Sequence, residues 1–280
     1  MTDAIDIRHN IHPEMARAMD SEALRRHFLI EALFVPGAVR MTYSHIDRLV
    51  VMGAVPLADA LPLPTPKAIG QARFFDAREG GVINIGGAGC VVVDGETYPL
   101  TGDAALYISR GAGEVSFASD DAANPARFYM VSTPAHKELQ TQIVDAGRAN
   151  RLELGAQETA NRRTIFQFLH PEVIETCQLT MGLTRLQPGS VWNTMPAHTH
   201  DRRSEVYLYF GLPEGQRVFH LMGEPDQTRH IVMANGEAVL SPSWSIHSGA
   251  GTSAYAFIWA MAGDNKDFAD MDHLKIEDLT

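Results

Sequence analysis

Beyond Arg40 the chain is written almost wholly in short, β-rich runs punctuated by Gly, Pro, Asp and Asn, a texture that predicts a sandwich or barrel. "GGVINIGGAGCVVVDGETYPL" gives two strands around an Asp94-Gly95 hairpin turn, and "GDAALYISRGAGEVSFAS" and "ARFYMVSTPA" add more. Residues 136–163 are more polar and lack clear periodicity. A second β series follows in "TCQLTMGLTRL", "EVYLYFG", "QRVFHLMG", "TRHIVMA", "EAVLSPSWSIHSG" and "AYAFIWAMAG". The expected architecture is therefore all-β: two β-barrel or jelly-roll domains, residues 1–150 and 151–280, with a few short helices. One early helix is expected over residues 20–34, with Asp20 or Ser21 as N-cap and Leu24, Phe28 and Leu29 at helical spacing. The tail "DFADMDHLKIEDLT" reads as short, acidic and superficial.

Composition removes several classes of function. A formal net charge of −11 disfavours broad attraction to nucleic acid. No segment approaches the ~18 unbroken apolar residues of a membrane helix, and "MTDAIDIRHN" lacks the apolar stretch of a signal peptide, so a cytoplasmic location is expected. The two cysteines, Cys90 and Cys177, sit in apolar strand-like runs and read as reduced, buried thiols. The glycines of "GGAGC" precede no helix and form no dinucleotide fingerprint.

The densest chemistry lies in "PAHTHDRRSEVYLYF", residues 196–210. Side chains two apart on a strand share a face, so His198 and His200 point the same way. Glu205 follows at an odd interval, but "DRRS" can turn the chain back so that the carboxylate joins the imidazoles. Tyr207 and Tyr209 continue on the Glu205 face. A fourth ligand is offered by His247 in "GEAVLSPSWSIHSGAG", where Pro242 ends a strand and a turn-rich segment aims the imidazole inward. Three nitrogens and one oxygen suit zinc, iron, manganese, nickel or copper, and coordination chemistry alone leaves that choice open.

These stretches resemble the two cupin motifs, with Trp244 and Gly251 where glycine and asparagine are more usual. In the first half "GDAALYISRGAGE" resembles a degraded second motif, with Ser109 replacing the proline and Glu114 at the histidine position, and no H-x-H precedes it. The resemblance implies a bicupin whose metal site lies in the C-terminal barrel only. "FLIEALFVPG", "YSHIDRLVVMG", "ETCQLTMGLT", "WNTMPAHTH", "SPSWSIHSGAGTSAYAFIWAM" and "DMDHL" narrow it further, since nearly end to end they resemble the 5-keto-4-deoxyuronate isomerase family. That resemblance implies one Zn²⁺ per subunit on His198, His200, Glu205 and His247, a homohexamer, and a ketol isomerase of pectin and polyuronate breakdown. Its substrate would be a small anionic sugar acid.

Such a reaction needs a proton-transferring base. Metal-bound hydroxide, Glu205, His220 and His230 are all candidates. Tyr207 and Tyr209 could donate hydrogen bonds to substrate oxygens. An arginine fork should take the carboxylate, with Arg162 and Arg163 foremost and Arg185, Arg202, Arg203 and Arg229 as further candidates. His45 and Arg48 fall in the metal-free half and suit assembly or structure. Two rival readings share the ligand set: a cupin dioxygenase with iron or copper, and a non-catalytic sugar-acid-binding cupin.

Overall fold

A computed structural model describes residues 5–264, 267 and 269–280. The chain divides into two compact units, each built on a seven-stranded and a four-stranded sheet. The first unit comprises residues 1–8, 32–150 and 168–181; the second comprises residues 9–31, 151–167 and 182–280. Two segments thus cross a simple division after residue 150.

In the first unit the large sheet runs Asp6–Arg8, Val39–Ser44, Val50–Ala54, Phe128–Pro134, Arg78–Asn84, Ala104–Ile108, Gln142–Asp145. The small sheet runs Leu61–Pro62, Val115–Ser119, Gly89–Val93, Glu96–Pro99. Apolar side chains from both sheets, among them Met52, Val82, Leu106 and Met130 against Val91 and Phe117, form one core. The Asp94-Gly95 turn is as expected: Val93 pairs with Glu96, and both turn residues have positive φ, 50° and 83°. That is the mirror-image turn whose twist matches a hairpin.

The second unit repeats the order. Its large sheet runs Asn150–Leu154, Arg163–Leu169, Thr180–Leu186, Ala256–Gly263, Arg203–Phe210, Glu237–Ser241, Leu29–Ile30. Its small sheet runs Trp192–Asn193, Ser248–Gly251, Val218–Glu224, Gln227–Met233. The place that Gln142–Asp145 holds in the first unit falls here to Leu29–Ile30, which pairs with Val239 and Ala238.

This pairing corrects the expected helix over 20–34. The helix is Ser21–Phe28, capped by Asp20, whose carboxylate accepts from the Ala23 N–H at 2.8 Å. It stops at Phe28 because Leu29 and Ile30 are claimed by the sheet, where both are buried. Tertiary pairing overrides local propensity. Cys177 is buried as expected, but Cys90 is only half-buried; both are free thiols. Among the described residues no helix is long and apolar enough to cross a membrane.

Candidate metal centre

Strand Arg203–Phe210 lies in the middle of the second unit's large sheet, flanked by Ala256–Gly263 and Glu237–Ser241. Its alternation sends Glu205, Tyr207 and Tyr209 to one face, and the core there includes Tyr207, Tyr209, Phe257, Trp259 and Met261. His198 belongs to the two-residue strand His198–Thr199, paired with Asp272–His273. The chain then turns at Asp201 and Arg202, with Arg203 N–H donating to the His200 carbonyl at 3.3 Å, and Glu205 follows on the new strand. His247 follows a turn closed by Ser245 N–H to the Pro242 carbonyl at 2.9 Å and directly precedes strand Ser248–Gly251.

The four side chains converge. His198 Nε2 is 3.1 Å from both His200 Nε2 and His247 Nε2, and Glu205 Oε2 is 2.8 Å from His247 Nε2 and 3.4 Å from His200 Nε2. Ligand atoms ~2.0–2.2 Å from one shared ion lie ~3–3.5 Å from each other, so these spacings are those of a coordination sphere. All four residues are buried, and one atom from each lies within 4.8 Å of every other. The set can hold a metal ion.

The protonation states suit that role. Burial, with His247 and His200 beside it, lowers the pKa of His198 to about 2, so the imidazole is neutral and can offer a lone pair. Burial alone would raise the Glu205 carboxyl, but the neighbouring His247 and His200 outweigh it and hold the group below the usual carboxylate range. His200 Nδ1 is 2.9 Å from the Asp270 carbonyl, an acceptor, which assigns the proton to Nδ1 and turns Nε2 toward the centre.

The centre opens on a cavity of about 360 Å³. His198, His200, Glu205, Tyr207, Arg163 and Arg203 line its polar side, while Phe257, Trp259, Met195, Met261, Met271 and Leu274 supply apolar wall. Tyr207 Oη is 3.1 Å from Thr194 Oγ1, and burial together with Glu205 raises its pKa well above that of a free phenol, so it serves as a donor. Tyr209 is fully buried away from the cavity, its hydroxyl 2.9 Å from His220 Nδ1, and fills the core. His220 is likewise buried behind the ligands, and His230 is exposed on the small sheet, so neither lines the cavity.

The remaining arginines separate as clearly. Arg162 is exposed and outside the cavity; Arg202 is clamped to Asp270; Arg185 stacks on Phe210; Arg229 donates to the Arg17 carbonyl. The tail is superficial as expected, with Asp272 and His273 exposed, yet sequence reasoning missed that His273, Met271 and Leu274 also border the cavity. His273 pairs with His198, and Leu274 N–H donates to the Ala197 carbonyl at 3.1 Å. Only the motif "DMDHL" carried a hint of it.

In the first unit the equivalent place in the large sheet belongs to Arg78–Asn84, and the ring of Phe75 lies 3.0 Å from where a Cβ on Gly80 would stand. Glu114 is exposed. Among the described residues the only metal-competent group is the one in the second unit.

Comparison with known proteins agrees with this picture. The model of the KduI/IolB family matches residues 33–276. A protein of Kineococcus radiotolerans named 4-deoxy-L-threo-5-hexosulose-uronate ketol-isomerase is 54% identical over 97% of this chain and 99% of its own. The chain belongs to the KduI/IolB family. A Rhizobium meliloti relative named 4-deoxy-L-threo-5-hexosulose-uronate ketol-isomerase 1 is also 54% identical, over 100% of both chains. A Salmonella paratyphi A relative with the ketol-isomerase name is 52% identical over 98% of this chain and 100% of its own. KduI/IolB membership is thus the family expected from the motifs. Among solved structures, an IolB-like protein of Salmonella typhimurium aligns with TM-score 0.71 at 15% identity, covering 88% of this chain and 96% of that one. An oxalate decarboxylase of Bacillus subtilis aligns with TM-score 0.57 at 12% identity, covering 84% and 74%. At those identities the likeness is one of fold, and it supports the all-β cupin architecture.

Proposed function

We propose that this chain is a zinc-dependent ketol isomerase that converts 4-deoxy-L-threo-5-hexosulose uronate to 3-deoxy-D-glycero-2,5-hexodiulosonate, a cytoplasmic step in pectin and polyuronate breakdown. The observation that carries the reading is the buried three-histidine, one-glutamate cluster facing a cavity, in a chain 52–54% identical to relatives bearing the ketol-isomerase name.

The reaction moves hydrogen and leaves the oxidation level of the whole molecule unchanged. One proton leaves C2 and one arrives at C1, while the hydroxyl proton passes from O2 to O1. A redox-inert divalent cation held by His198, His200, Glu205 and His247 would supply Lewis acidity, which polarises the carbonyl and acidifies the adjacent C–H. The chain's own side chains do the rest. Tyr207 donates a hydrogen bond to a substrate oxygen and shares it with Thr194. Two cavity side chains carry a basic lone pair for the proton, the Glu205 carboxylate and the His273 imidazole at the cavity wall. The apolar wall of Phe257, Trp259 and Met261 faces the rest of the sugar acid and excludes water from it.

The test is direct. Purified protein should contain close to one zinc per chain and should interconvert the aldehyde and ketone under anaerobic conditions, followed by NMR. Oxygen uptake with iron or copper, or binding without turnover, would replace this reading with one of its rivals. Light scattering at working concentration checks the expected homohexamer.

A further inference from the structure

Two arginines line the cavity around the candidate metal centre, Arg163 and Arg203, and their donors are in opposite states. Arg203 is spent on the chain itself: Nη1 donates to the Asp267 carbonyl at 2.7 Å and Nη2 to the Asp270 carbonyl at 3.0 Å, while Nε lies 3.4 Å from His200 Nδ1. Arg163 keeps most of its fork free. Among the described residues its one hydrogen bond runs from Nη1 to the Asn161 carbonyl at 2.9 Å, and no carboxylate pairs with it.

Strand alternation explains why Arg163 and not Arg162 reaches the cavity. Arg163 and Ile165 both line it. Thr164, between them, turns away and donates to the Glu153 carboxylate at 3.0 Å, and the charge of Arg162 acts on that same carboxylate. Arg162 is therefore answered by an acid on the outer side, and Arg163 faces inward with none. A half-buried guanidinium without an anion is costly to the protein alone, and the cost is relieved when a carboxylate binds. Tyr207 lines the same cavity as Arg163, its ring 5.5 Å from that of His247.

We infer that Arg163 is the receptor for the substrate's carboxylate, holding that end of the sugar acid while the carbonyl and neighbouring hydroxyl lie at the four-ligand centre. This rests on the isomerase reading for the identity of the acid. It makes the site selective for uronates over neutral sugars of the same shape, because only a planar anion completes the fork.

The test separates the inference from the reading beneath it. Zinc-loaded protein is titrated calorimetrically with a 4-deoxyhexuronate carrying an alcohol in place of the reacting aldehyde, and with its carboxamide; neither can isomerise. Wild type should bind the acid at least ~30-fold more tightly than the amide, as loss of a partly buried charge pair implies, and Arg163→Gln should bind both alike. Arg163→Lys should restore part of the preference, since a point charge replaces the fork. With the reactive substrate, Arg163→Gln should raise KM by a larger factor than it lowers kcat, at unchanged zinc content. Equal binding of acid and amide by wild type, or an undiminished preference in Arg163→Gln, overturns the assignment even if the enzyme isomerises its substrate. Discrimination that depends on Arg163, in a protein that fails to isomerise, upholds the receptor and removes the reaction.

Discussion

Asp270 reaches the centre with a backbone carbonyl, and that carbonyl is what commits the His200 proton to Nδ1. Its own carboxylate is gripped by Arg202 and its carbonyl by Arg203, so the acceptor is fixed from two sides. Glu205 has no comparable substitute, because it is the one carboxylate in the four-residue cluster and faces the cavity. Glu205→Gln should therefore lose turnover by more than ~10²-fold and bind zinc more weakly, checked by initial rates beside metal analysis of the same sample. Near wild-type turnover at full metal occupancy would remove Glu205 from the chemistry. The convergence of His198, His200 and Glu205 was legible in the sequence because strand parity and a short turn are local facts. His273 was not, since it meets His198 across a strand pairing 75 residues long in sequence, 273 against 198.

Strand Thr180–Leu186 shows how an element shapes the cavity without contributing a polar group to the ion. A Cβ on Gly182 would stand 2.2 Å from Trp259 Cζ2 and 2.5 Å from the Phe166 carbonyl, so the indole rests on the bare backbone. Trp259 Nε1 donates to Thr184 Oγ1 at 3.2 Å, which fixes the ring against the cavity wall. Gly182→Ala should force that ring to shift, costing about 1–3 kcal/mol of stability and lowering turnover, read from urea denaturation and rates measured well below the midpoint. Unchanged stability would mean the wall is softer than its packing suggests. The strands themselves were legible from alternation and turn residues. The helix end at Phe28 was not, because a two-residue strand has no periodicity and Leu29 fits a helical face as well as a sheet.

At the scale of the molecule, two buried imidazoles tie stability to acidity. Burial lowers His198 to about 2 and His220 to about 3, whereas both groups in an unfolded chain titrate near ~6.5. Between those limits the unfolded chain binds more protons, so stability is present above ~6.5 and is lost progressively as pH falls. Metal-free protein should melt at steadily lower temperature from pH 7 to pH 4, and His220→Gln should flatten the slope. A melting point that stays level over that range would contradict the buried neutral state.

The two-unit plan and its doubled β texture were legible from the sequence, but the exchange of segments was not, since nothing in "LI" or in residues 168–181 announces a distant sheet. Fragments cut after residue 150 should each fail to give a cooperative transition: the first lacks residues 168–181 and the second lacks residues 9–31. Two sharp, independent transitions from the separated halves would count against that dependence. The placement of Leu29–Ile30 also governs the order of events during synthesis. A nascent chain leaves the ribosome carrying the edge strand of a sheet whose partner, Glu237–Ser241, is translated some two hundred residues later. Until then Leu29 and Ile30 have no native partner, and the growing polypeptide carries them as exposed apolar surface.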